Sequence, residues 1–286
     1  MFRHGTHVVK GYRTQDGAGV SLVRVLGAET AAAFDPFLML DSLDCTDPDA
    51  YTAGFPLHPH RSIETVTYLA EGAVQHRDTM GLANTIGAGE VQWMCAGSGI
   101  EHEKQIPPVK RLLGIQLWLN LPKKDKMARP FYHAIHAGDI KEVRPAEGVT
   151  LRLLASSYED SAGTQHKGFE GQHLPLDFYE IALEPGTKLD VPVNEDASVM
   201  AFTLEGSAQI GGLPLSAKTA IKLEEGDRVK IEADADAPSH VLFLSSVALH
   251  EPIAWGGPIV MNTEEELLAA FREIEQGTFQ KEQLEH

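Results

Sequence analysis

The sequence predicts an all-β protein made of two β-barrel or jelly-roll domains, with one C-terminal helix. Three observations carry that prediction: short apolar runs ended by Gly and Pro turns, a second block that repeats this texture, and a change of period near the C-terminus. Length sets the domain count. At 286 residues the chain is long for one core and comfortable for two. Its 43% of apolar residues suffices to fill both.

The strands of the first block are Val20–Leu26, Glu64–Leu69, Val91–Met94 and Leu112–Leu119, separated by Glu71-Gly72, Gly87-Ala88-Gly89 and Gly97-Ser98-Gly99. The second block offers Asp177–Leu183, Ser198–Leu204, Lys218–Leu223 and Val241–Ser245. Leu69-Ala70-Glu71-Gly72 and Thr203-Leu204-Glu205-Gly206 hold similar places in the two halves, which reads as a divergent internal duplication. The polar stretch 120–145, with Pro122, Pro130 and Pro145, is the expected linker zone. The chain then divides into an N-terminal domain, 1–135, and a C-terminal domain, 136–283, that includes the helix. The helix is expected after Thr263, where Leu267, Ala270, Phe271 and Ile274 fall at helical spacing and Thr263 pairs with Glu266 as a capping box. Residues 284–286, Leu-Glu-His, read as the start of a tag.

Composition removes several classes of function. A net charge of −17 with no basic cluster opposes direct nucleic-acid binding. No apolar run is long enough to span a membrane, and the first residues lack the apolar stretch of an export signal. With only two cysteines, Cys45 and Cys95, there is no disulfide framework, and the expected location is the cytoplasm. Both cysteines read as small hydrophobes.

One constellation carries chemistry. His58 and His60 stand two apart, so in a strand both imidazoles face the same side. Gly99-Ile100-Glu101-His102 follows a Gly-rich turn, where a second strand can bring a third imidazole opposite them. Three neutral imidazoles suit Fe(II), Cu, Ni or Zn, and three protein ligands leave positions open for water or substrate. A bare His-x-His is weak evidence in a chain with thirteen histidines, but two pieces in the right order strengthen it.

The residues in and around these pieces resemble the pirin family. The resemblance lies in Asp35-Pro36-Phe37-Leu38-Met39-Leu40-Asp41, Gly54-Phe55-Pro56-Leu57-His58-Pro59-His60-Arg61, Gln92-Trp93-Met94, Leu117-Trp118-Leu119-Asn120-Leu121-Pro122, and the stretch from Glu251 to Thr263. It implies a bicupin, two cupin barrels in tandem, with one metal, usually iron, in the N-terminal barrel and none in the C-terminal one. It also implies quercetin 2,3-dioxygenase-like activity in some members and a transcriptional cofactor role in others. His58, His60 and His102 match the family's histidine ligands.

The chain departs from the family at one ligand. The family pattern is His-x-Glu, and here the sequence is His102-Glu103-Lys104. An ammonium cannot ligate a cation. Glu101 and Glu103 should face outward, next to an inward His102. Glu64 has the parity of His58 and His60, so a regular strand would turn it into the same lumen, as a fourth ligand or as a partner for Lys104. Glu64 and Lys104 are therefore the candidate catalytic residues. Two readings follow. One is an Fe(II)-dependent dioxygenase that takes a flavonol or related enediol and O2. The other is a non-catalytic metal or redox-sensing module that works through a protein partner.

Overall fold

The computed structural model describes residues 1–282, so the tag reading of 284–286, and the last residue of the expected second domain, lie outside the described residues. The chain forms two compact units. The first gathers residues 13–24, 37–136 and 249–282, the second residues 1–12, 25–36 and 137–248.

Both units repeat one plan, a seven-stranded sheet with a four-stranded sheet. In the unit holding the histidines the larger sheet runs, in order, Phe131–Ile135, Glu90–Cys95, Ile63–Glu71, Leu112–Asn120, Phe37–Cys45, Val20–Leu26 and Tyr12–Asp16. The smaller sheet runs Phe55–His60, Ile100–Gln105, Val74–Asp78 and Ala83–Ile86. The other unit has the corresponding small sheet Lys188–Pro192, Arg228–Ala233, Ser207–Ile210 and Leu213–Ser216. The strand pairs within these sheets are antiparallel, as short hairpin connections require.

The expected cut at 135/136 differs from this packing at both chain ends. The strand His4–Lys10 pairs with Thr219–Glu224 and so completes the sheet of the second unit. The helix Glu264–Glu275, capping box included, packs Leu267 and Ala270 on Ala254, Ile259, Met261 and Phe279, in the unit of residues 37–136. Long-range pairing decides both placements, and local periodicity carries no record of it. The proline-rich stretch 120–145 likewise contains a strand, Phe131–Ile135, that pairs with Glu90–Cys95.

What fills the units separates them. The second is packed with Leu151, Leu153, Ile181, Val199, Ile221, Val241 and Phe243, all buried. Each such side chain contributes about 1.5–3 kcal/mol by leaving water. The first has an apolar cluster too, including Val20, Tyr51, Leu69, Val74 and Ile86. It also buries Asp41, His60, Thr67, His76, Gln92, His102 and Lys104. Burying a polar group costs free energy unless it is hydrogen-bonded. The other unit buries polar side chains as well, among them Glu180 and Lys222, but the buried imidazoles lie in the first.

Candidate metal centre

The three histidines come together because two strands pair in register. His102 lies opposite His58, and Ile100 opposite His60. Ligand nitrogens of His58, His60 and His102 all lie within 4.8 Å of one another. His60 and His102 are buried and His58 is half-buried.

Hydrogen bonds fix two of the rings. His58 Nδ1 is 2.7 Å from the Pro56 carbonyl oxygen, and His60 Nδ1 is 3.0 Å from that of Pro258. A carbonyl only accepts, so both Nδ1 atoms carry the proton. Both Nε2 atoms are then lone-pair acceptors, and they face each other at 3.0 Å. His102 Nε2 is buried with no partner. A proton on one of the rings is disfavoured. Burial pulls His60 down to about 3, with His58 and Lys104 adding to the effect. Burial also lowers His58, and it holds His102 well below the ordinary imidazole range. Two lone pairs thus face each other, in a group completed by His102 with its unpartnered Nε2. A cation satisfies that arrangement, so these residues fit a bound metal.

Two structural details decide the other candidates. The strand Ile100–Gln105 is regular against Val74–Asp78, pairing His102 with Asp78, Glu103 with Arg77 and Lys104 with His76. His102 and Lys104 therefore share the inner face, and Glu103 points away from it. Lys104 is buried, and its Nζ donates to Thr67 Oγ1 and Gln116 Oε1, each at 2.7 Å. Burial lowers it to about 7.

Glu64 does not join the centre, which corrects the expectation from parity. The backbone turns between His60 and Ile63, with Ser62 at φ +67°, and the chain passes into a different sheet. Parity counted across that turn has no meaning. Glu64 Oε2 instead accepts from the Trp93 indole N–H at 3.0 Å. Burial raises its pKa to about 7, against the lowering effect of the Trp93 bond. Glu64 pairs with neither Lys104 nor the three histidines.

Several site residues escaped the sequence reading. His76 Nε2 lies 2.8 Å from Asp78 Oδ2, and His76 Nδ1 lies 3.4 Å from His102 Nδ1. Tyr132 stacks on the His76 ring at 4.5 Å, and its hydroxyl accepts from Gln92 Nε2. Trp118 sets its ring edge-on to His60 at 5.0 Å. The only signal for His76 and Asp78 was His76-Arg77-Asp78, a His-x-Asp pair on one face of a strand. Tyr132 lay in the stretch read as linker.

Comparison with known proteins fits this geometry. The pirin family pattern covers residues 19–119, and the pirin C-terminal cupin domain covers residues 178–280. A pirin-like protein of Caulobacter vibrioides is 39% identical, over 95% of this chain and 97% of its own. The human protein named pirin is 32% identical, over 92% and 90%. A crystal structure described as quercetin 2,3-dioxygenase from Acinetobacter baumannii superposes with a TM-score of 0.89 at 31% identity, over 98% of this chain and 99% of that one. Both units are thus of the cupin type. No helix among the described residues is long and apolar enough to cross a membrane.

Proposed function

The chain belongs to the pirin family, and from that premise we propose that it is a metal-dependent dioxygenase acting on a quercetin-like flavonol or related enediol. One observation carries the reading, the convergence of the His58, His60 and His102 imidazoles, with the Nε2 lone pairs of His58 and His60 facing each other and His102 Nε2 buried without a partner. The likeness to a quercetin 2,3-dioxygenase structure supports the reaction class.

His58, His60 and His102 would hold the metal, Fe(II) in this proposal. When bound, the metal supplies a Lewis acid and a template for a chelating enediol, with positions left open by three protein ligands. The chain does the rest. The Pro56 and Pro258 carbonyls keep two imidazoles in the ligating tautomer. Trp118 walls the His60 side and Tyr132 the His76 side, which keeps water from the rings. When protonated, Lys104 has three N–H donors and two named acceptors, so the ammonium form has one hydrogen left for an anionic substrate oxygen.

The test is anaerobic loading with Fe(II), removal of excess metal, and addition of quercetin in air. Loss of the flavonol absorbance with matching O2 uptake, absent in His102→Ala, is the expected result. A chain that holds one metal and leaves quercetin untouched returns the weight to the module without turnover. That second reading draws on one observation: Glu64, expected as a fourth ligand or a partner for Lys104, is held by Trp93.

A further inference from the structure

The three metal-site imidazoles are not held alike. His58 and His60 are fixed by backbone carbonyls, but His102 Nδ1 meets no carbonyl. It meets the Nδ1 of a fourth histidine, His76, at 3.4 Å, and that ring reaches Asp78 Oδ2 through its Nε2 at 2.8 Å. The side chains of His76 and Asp78 are fully buried. The carboxylate itself is fixed, because Asp78 Oδ1 accepts from the backbone N–H groups of Met80 and Leu82. Tyr132 stacked on His76 holds the plane of the relaying ring.

Only one proton arrangement satisfies this row. Asp78 can only accept, so the neutral His76 carries its proton on Nε2. His76 Nδ1 is then a lone pair and must accept, so the His102 proton sits on Nδ1. That leaves the lone pair of His102 on Nε2, the atom that is buried without a partner beside His58 and His60. The opposite arrangement would set a lone pair of His76 against a carboxylate oxygen at 2.8 Å.

We propose that Asp78, acting through His76, is the positioning residue that locks His102 in the metal-ligating tautomer. The donor group itself holds three imidazoles and no carboxylate. Asp78 therefore also supplies negative charge to the centre at one remove, strengthening His102 as a donor. Partners beyond the ligands commonly act this way on metal-bound histidines.

This inference rests on reading the three imidazoles as a metal site, and the test separates the two. The probe is Co(II), titrated into full-length chain. Asp78→Asn keeps Oδ1 for the Met80 and Leu82 N–H groups but turns the other oxygen into a donor. His76 must then accept at Nε2 and donate from Nδ1, which drives the His102 proton onto Nε2, into the metal position. Asp78→Asn should lose affinity about 100-fold, close to the loss in His102→Ala, whereas His76→Phe, which keeps the stack on Tyr132 and frees His102 to choose, should lose about 10-fold. Near-UV circular dichroism should be unchanged in both. Binding by Asp78→Asn as tight as wild type, or weaker binding by His76→Phe than by Asp78→Asn, overturns the proposal. If wild type binds no Co(II), the metal-site reading fails by itself. The tautomer is still decided by imidazole ¹⁵N shifts of the metal-free wild type. Those should show His102 protonated on Nδ1 and bare on Nε2, and the reverse pattern overturns the inference.

Discussion

Lys104 gives a quantitative test of how dry the barrel interior is. It is buried, its two named partners are the neutral Thr67 and Gln116, and burial lowers it from 10.5 to about 7. In the unfolded chain it keeps the ordinary lysine value. Between about pH 7 and 10.5 the unfolded state therefore binds more protons than the folded one, and stability from this group rises with pH across that window. Integrating the two titrations from pH 7 to pH 9 gives a gain of about 2 kcal/mol, at 1.36 kcal/mol for each unit of pKa difference. Lys104→Met removes the group and keeps most of its volume. The measurement is thermal unfolding of metal-free wild type and Lys104→Met at a series of pH values, in chelator. The difference between the two proteins should shift in favour of wild type by roughly 4–8 °C from pH 7 to pH 9. Other titrating groups cancel in that difference. A difference that stays flat would mean that Lys104 keeps its water and its ordinary charge, and the account of a desolvated lumen would be refuted.

Three further outcomes follow from contacts described above. Glu64→Gln should leave Co(II) affinity of the three-imidazole centre unchanged, since Glu64 bonds Trp93 and is not one of the group His58, His60 and His102. Burial raises its folded pKa from 4.5 to about 7, so wild type loses stability as pH rises through that window, and the variant should be more stable by about 1–3 kcal/mol at pH 8 in denaturant titration. Gly97→Ala should cost roughly 2–4 kcal/mol and weaken Co(II) binding, measured by unfolding and titration. Gly97 sits at φ +45°, and a Cβ there would lie 2.0 Å from the Ala128 carbonyl oxygen, just ahead of the strand bearing His102. Arg61→Met should cost about 3–5 kcal/mol and speed proteolysis beyond Glu275. Arg61 is buried, donates to the Ser98 and Phe279 carbonyls, pairs with Glu273 at 2.7 Å and lies over the Phe279 ring.

The sequence made legible what local rules govern. Alternating runs ended by glycine turns announced the two-barrel β architecture, and Thr263 with Glu266 announced the helix start that the structure shows. His58 and His60, two apart, were readable as one face, and the glycine turn before His102 as the start of a partner strand. Three things were not legible. The turn at Ser62 broke the parity that pointed Glu64 inward. The relay through His76 and Asp78 needed the register of Val74–Asp78 against Ile100–Gln105, which pairs residues more than twenty positions apart. The composition of the units needed the pairing of His4–Lys10 with Thr219–Glu224.

That last pairing, with the seating of the C-terminal helix, bears on how the protein matures on the ribosome. The strand His4–Lys10 is made first but has no sheet to join until Thr219–Glu224 has been synthesised. The histidine-bearing barrel is drafted by residue 136, yet His60 takes its carbonyl from Pro258, and Arg61 takes its partners from Glu273 and Phe279. Each barrel is thus finished only by a segment from the opposite end of the message. A nascent chain, or one clipped before Pro258, would present His58 and His102 with the third imidazole unanchored. Under the proposed metal reading, the donor set of three imidazoles is complete in its ligating tautomers only once Pro258 has been made.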